Sequence, residues 1–188
     1  VMQLFHLARL SINGVNPWKF IEEYREVIKG NFQIASPIDA LSYNKRHLCR
    51  RLDESSDIIK SKLDIGALMD MDGNCVVISM GIILLLSECQ ISMDLFDQIG
   101  LMFIIIVISY GAPNQPGSFL ICMIVLMNYS GISINMCGLI LIVEVFTSKF
   151  YSFTNAFGNI TSIVIDAKRK QRRQSKEEKA RIKKANAV

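Results

Sequence analysis

The stretch Gly66-Ala67-Leu68-Met69-Asp70-Met71-Asp72-Gly73-Asn74 sets two carboxylates and a glycine into an otherwise apolar segment. From Ile65 to Leu86 the chain is about long enough to span a bilayer as a helix, and an unpaired charge inside such a span is expensive. Asp70 and Asp72, two residues apart, cannot share one face of a regular helix. A segment unwound around Gly73 would turn both inward and free backbone carbonyls to hold a cation. The other arrangement open to the sequence starts the span after Asp72 and leaves both acids at the water interface.

Composition and charge extend this reading outward. With 188 residues, 51% hydrophobic content and a mean hydropathy of +0.31, the chain is too apolar for an average soluble domain, and its apolar residues cluster in long runs. A polytopic, all-α membrane protein is the class this indicates. Between Lys62 and Lys149 there is no Lys or Arg, whereas both flanks are rich in them. The positive-inside rule predicts that both flanks are cytoplasmic and that the centre crosses the cell membrane an even number of times. The basic tail from Lys168 to Lys184 reads as a cytoplasmic anchor to membrane lipid. It lacks the aromatic or sequence motifs of a nucleic-acid binder, so no nucleic-acid partner is expected. Cys49, Cys75, Cys89, Cys122 and Cys137 are scattered and read as small hydrophobes rather than a metal or redox motif. The chain begins with Val and without a signal peptide, so an upstream part or an unusual start is expected.

In chain order, Val1 to Ile12 fits the end of a helix reaching the membrane surface. Gly14 and Pro17 break it, and Trp18 beside Lys19 suits an interfacial anchor. Ile21 to Ile28 has helical spacing with a charged side and is expected to lie along the surface. Asn31 to Ser42 is a weak hairpin candidate around Ser36-Pro37 and reads by itself as a loop. Tyr43 to Asp64 is charged enough to be expected in water as a helix and turn, with His47 a surface residue. After the broken span, Ser87 to Ser92 forms a polar turn facing outside, and Met93 to Ser109 a helix. Tyr110 to Gly117 carries two prolines and two glycines and cannot continue it. The following arm, Ser118 to Tyr129, is too short to span, which predicts a re-entrant hairpin with a buried tip. A tight turn outside the bilayer between two tilted spans is the alternative. Ile132 to Ile165 is the last long helix, and Ser148, Tyr151, Ser152, Asn155 and Asn159 recur along it at spacings of three and four. Such a stripe faces a partner or a pathway rather than lipid. No residue set suggests covalent catalysis, and the two histidines are expected outside the membrane core, so an enzyme is not indicated.

These residues resemble the dicarboxylate/amino acid:cation symporters, the glutamate transporters and their bacterial relatives. Asn16-Pro17-Trp18-Lys19-Phe20 is similar to the Asn-Pro-aromatic-basic-Phe before that family's first re-entrant hairpin. Gly66 to Asn74 resembles its Gly-Ala-Thr-Ile-Asn-Met-Asp-Gly-Thr in the broken seventh helix. Gly111 to Gly117 resembles the tip of the second hairpin, and Asn155-Ala156-Phe157-Gly158-Asn159 the Asn-Val-x-Gly-Asp of the eighth helix. The resemblance covers roughly Asn16 to Asp166, with the parts in the family's order.

The resemblance implies an elevator-type transport domain made of a broken transmembrane helix, a re-entrant helical hairpin and a terminal transmembrane helix. It divides the chain into residues 1–64 (the end of a preceding helix, a degenerate first hairpin and a cytoplasmic connection), a transport core over 65–166, and a basic cytoplasmic tail over 167–188. The implied function is cation-coupled symport of an amino acid or dicarboxylate, with sodium or a proton as coupling ion and no other cofactor. Asp72 would be a sodium ligand, and the carbonyls of Gly66, Asp70 and Asn155 would surround a second sodium with the side chain of Asn159. Met71 would lie between substrate and ion. Asn155 would hold the substrate with Ser148, Tyr151 and Ser152, and Ser36 with Pro116 and Gly117 would close over it. Several positions depart from the family pattern. Ser148 stands where the family usually has an Asp, Tyr151 where acidic-substrate members have an Arg, Asn159 for a charged ligand and Asp70 for an Asn. The family's scaffold helices, which form its homotrimer, are expected elsewhere. A non-transporting membrane fragment or interaction module is the competing reading.

Overall fold

The computed structural model describes residues 2–34, 36, 38–52, 56–69, 71–111 and 117–185, so the expectations placed on Pro37, Asp70 and Pro116 lie outside the described residues. Helices and their connecting turns make up the described chain, with no strand among the described residues.

Helix α1 (Met2–Ile12) ends at Gly14, which takes a left-handed φ of +69°. Asn16 then starts α2 (Pro17–Glu23): its Oδ1 accepts from the Trp18 and Lys19 amides, and Pro17 fills the first helical position, where its missing N–H costs nothing. Helix α3 (Arg25–Ile34) follows almost directly. Phe20, Tyr24 and Val27 share one face and are buried. The segment expected along the membrane surface therefore packs into a core, because its apolar stripe meets the last helix of the chain.

Asn31 to Ser42, a weak hairpin candidate read by itself as a loop, instead holds the last turn of α3 (Asn31 to Ile34) and the start of α4 (Leu41–Arg51), which pair as the arms of a helical hairpin. Its arms are joined by a buried reciprocal amide pair: Asn31 Nδ2 donates to Asn44 Oδ1 at 2.6 Å, and Asn44 Nδ2 to Asn31 Oδ1 at 2.9 Å. Tyr43 also donates its hydroxyl to the Glu26 carbonyl. The charged stretch from Tyr43 onward is not wholly aqueous, since Leu48, Ile59 and Leu63 are fully buried. Its described charges lie on the outer faces, where Lys45 pairs with Asp64 at 2.7 Å, and His47 is half-buried against the Tyr43 ring.

The stretch Gly66 to Asn74 does break a helix, but at Met71 rather than around Gly73, which lies in the first turn of the new helix. Helix α5 (Ser56–Met69) begins well before Ile65, and α6 (Asp72–Glu88) restarts after Met71. The Met71 amide donates to the Met69 carbonyl, a tight turn in place of the helical i to i−4 bond. After a polar turn come α7 (Leu95–Gly111) and α8 (Ser118–Tyr129), then a 3-10 turn (Ile134–Met136) and α9 (Cys137–Ala185). Ser56–Glu88 and Ile134–Ala180 are long and apolar enough to cross a membrane. The basic stretch beyond Asp166 continues α9 without interruption.

Two apolar cores result. One gathers Leu10, Phe20, Tyr24, Val27, Leu48, Ile59 and Leu63 around Phe157 to Ile165 of α9. The other gathers Ile78, Ile82, Leu101, Ile105, Met123 and Leu126 around Ile140. Among the described residues only α9 contributes side chains to both. The α5–α6 break and the polar stripe of α9 lie between them.

Candidate functional site

Breaking a helix leaves the first amides of the new one without carbonyl partners. Met71, at the N-terminal cap of α6, offers no side-chain cap. Asn155 of α9 supplies it from across the interface: its Oδ1 accepts from the Gly73 amide at 2.7 Å. The same side chain donates through Nδ2 to Asn74 Oδ1 at 3.1 Å and lies 3.8 Å from Met71 Sδ. Asn155 is 1% exposed, so these bonds are made away from water and leave no amide atom orphaned.

Two glycines permit this approach. A Cβ on Gly73 would collide with the Tyr151 carbonyl oxygen and sit 2.8 Å from Tyr151 Cα, so α6 touches the backbone of α9 there. A Cβ on Gly66 would collide with the Asn159 amide. Asn159 donates from Nδ2 to the Leu63 carbonyl at 3.1 Å, tying α5 to α9 one turn beyond Asn155. Asn155 and Asn159, four residues apart on one helix face, thus clasp the two halves of the broken helix from the same side.

Asp72 opens α6, where a carboxylate is favoured by the helix dipole. Its side chain remains 35% exposed, and Oδ2 lies 3.5 Å from His6 Nε2. His6 is fully buried and contacts Gly158, where a Cβ would come within 3.0 Å of its ring. The expectation that both histidines lie outside the core is therefore corrected for His6. Among the described residues neither of its ring nitrogens has a hydrogen-bond partner.

Met71, Asp72, Gly66, Asn155, Asn159 and Tyr151 are thus brought together, and Tyr151 and Ser152 are buried alongside at 4% and 7% exposure. Ser148 is half-buried and turns its hydroxyl onto the Val145 carbonyl of its own helix. Gly117 reaches the stripe through Glu144, whose buried Oε1 accepts from the Gly117 amide at 2.8 Å. Gly117 caps α8 at φ +90°, so a carboxylate from α9 closes that helix end. Ser36 accepts from the Asp39 amide within its own loop and makes no described bond to the cluster.

Sequence reasoning missed Glu144, His6 and Asn74 as members of the site. Glu144 precedes Ser148 by one helical turn, so the spacing that marked the stripe would have included it. His6 carries no such signal, being brought to Asp72 only by the packing of α1 on α9. Among the described residues no group of three or more His, Cys, Asp and Glu side chains is placed to hold a metal ion.

An interrupted helix clasped by two side-chain amides of a long helix, between two hydrophobic cores and with two segments long and apolar enough to cross a membrane, defines the class as an all-helical protein among the described residues. The sodium:dicarboxylate symporter family model matches residues 1–169, and the chain belongs to that family. Its members are transporters, not enzymes.

Proposed function

We propose that residues 1–166 form the substrate-bearing part of a sodium-coupled symporter for an amino acid or dicarboxylate, moving as an elevator-type domain against a scaffold supplied by other helices. The observation that carries this reading is the meeting of the α5–α6 break with the polar stripe of α9 through Asn155 and Asn159. In this reading Asp72 holds one transported cation, and the carbonyls of Gly66, Asp70 and Asn155 with the side chain of Asn159 surround a second. Met71, Ser148, Tyr151, Ser152 and Asn155 face the organic substrate. The α7–α8 hairpin end at Pro116 and Gly117, with Ser36 of the first hairpin, covers it. Both basic flanks lie on the cytoplasmic side, and the scaffold assembles the domain as a homotrimer.

Acidic amino acids fit this site poorly. A side-chain carboxylate needs a fixed planar cation such as Arg, and Tyr151 offers a neutral hydroxyl. Ser148 supplies no charge for a substrate ammonium. A non-transporting role is supported by one observation, that Asn155 already spends its amide on Gly73 and Asn74. Uptake by the reconstituted chain, with its scaffold helices, decides between them. Sodium-driven uptake of an amino acid or dicarboxylate, lost in Asp72→Ala and weak for aspartate, is expected. A folded, correctly inserted protein that takes up no member of such a panel in a sodium gradient favours the non-transporting role. Robust aspartate uptake that is lost in Asp72→Ala but indifferent to Tyr151→Ala refutes the selectivity argument.

A further inference from the structure

Away from the polar stripe, a cavity of about 420 Å³ opens where α9 leaves the first core and becomes basic. Its walls come from α2 (Lys19 and Glu23), the end of α4 (Arg51) and α9 (Val164 and Lys168), with Tyr24 beneath. The framework is fixed on both sides. Asn16 caps α2, and Arg169 and Arg172 of α9 bond Asn13 Oδ1, the Asn13 carbonyl and the Gly14 carbonyl at 2.6 to 3.1 Å.

Three cations face this cavity against one carboxylate. Among the described residues none of Lys19, Arg51 and Lys168 is within ion-pair distance of an acid. The Arg51 guanidinium lies 5.8 Å from the centre of the Tyr24 ring, and Lys168 bonds the amide of Gln171. Beneath the cationic rim the wall is apolar, for Tyr24 and Val164 are buried at 3% and 7% exposure. An anion with several equivalent oxygens satisfies a guanidinium fork and two ammonium groups together, and a short apolar stem matches the wall. We propose that this cavity binds a phosphate ester, its oxygens held by Lys19, Arg51 and Lys168 and its organic stem against Tyr24 and Val164.

Two sources share that chemistry, a phospholipid headgroup and a soluble phosphate ester. Trp18, the single tryptophan of the chain, is 80% exposed beside Lys19 and reports on both. The test follows Trp18 fluorescence of the full chain titrated with glycerol phosphate in detergent, and compares nanodiscs of phosphatidylcholine with and without phosphatidic acid. A saturable change in either arm is expected. The arm that responds identifies the source. Lys19→Gln/Arg51→Gln/Lys168→Gln should weaken it about tenfold or more, since charge-assisted bonds are lost. Lys176→Gln/Lys179→Gln, which removes two charges from the exposed extension of α9, should leave it unchanged. No saturable change in either arm overturns the proposal. Equal weakening by both variants also overturns it, because attraction to the basic extension as a whole would then suffice. The three cavity cations are exposed side chains, so their replacement leaves the core intact, and the wild-type titration stands without any variant.

Discussion

Replacing Gly73 with Ala tests whether the broken helix is held by close backbone contact. The added Cβ would collide with the Tyr151 carbonyl oxygen and lie 2.9 Å from Asn155 Oδ1, where the nearest atoms belong largely to a backbone that cannot swing aside. Helices α6 and α9 must then separate, at an overpacking cost of about 1–3 kcal/mol. Separation also stretches the Gly73 to Asn155 bond, whose loss adds about 1 kcal/mol. Helix propensity returns at most about 1 kcal/mol, less in a first turn. The net expectation is a destabilisation of about 2 kcal/mol, read as a lower thermal midpoint of the purified protein in detergent. Gly138→Ala is the matched control, since nothing lies within 4 Å of its Cβ and the same propensity gain stands unopposed. Gly73→Ala as stable as wild type, or stabilised like Gly138→Ala, refutes the close-contact argument.

Asn31→Ala strands the buried amide of Asn44 and should cost about 1–3 kcal/mol in thermal or denaturant stability, whereas Asn31→Leu with Asn44→Leu together should recover most of it. A double replacement as damaging as the sum of the single ones would show that the pair is not coupled. Glu144→Ala should lose a charge-assisted bond of about 1.5–3 kcal/mol and speed hydrogen exchange at the Gly117 amide, while Glu144→Gln, which keeps an acceptor, should preserve most of that protection. Unchanged exchange in Glu144→Ala would remove the contact from the account.

The break at Met71 was legible because the sequence places charge and glycine inside an apolar run. The α8 arm was legible because a glycine turn and a polar turn bound it. The polar stripe of α9 followed from spacing alone. The first hairpin read only as a weak candidate, since Asn31 and Asn44 put polar side chains on the buried faces that Val27 and Leu48 mark, and nothing in the sequence pairs the two amides. Ile21 to Ile28 looked like a surface helix for a related reason: an amphipathic face predicts burial against something, and sequence does not say whether that is lipid or protein. His6 was beyond reach, its meeting with Asp72 depending on how α1 packs against α9. The resemblance placed Asn155 and Asn159 near the break, but their bonds to Gly73 and Leu63 emerge only from the packed helices.

Helix α9 runs for 49 residues without a kink-forming proline, a rod about 70 Å long. Its middle clasps the broken helix, and its end stands clear of both cores. A displacement of Asn155 along the rod's axis must therefore reappear at Lys176 with little loss, about 30 Å along the helix. The exposed extension is in that sense a pointer on a dial: a fluorophore placed there would report any displacement of the clasp while leaving the clasp itself chemically untouched.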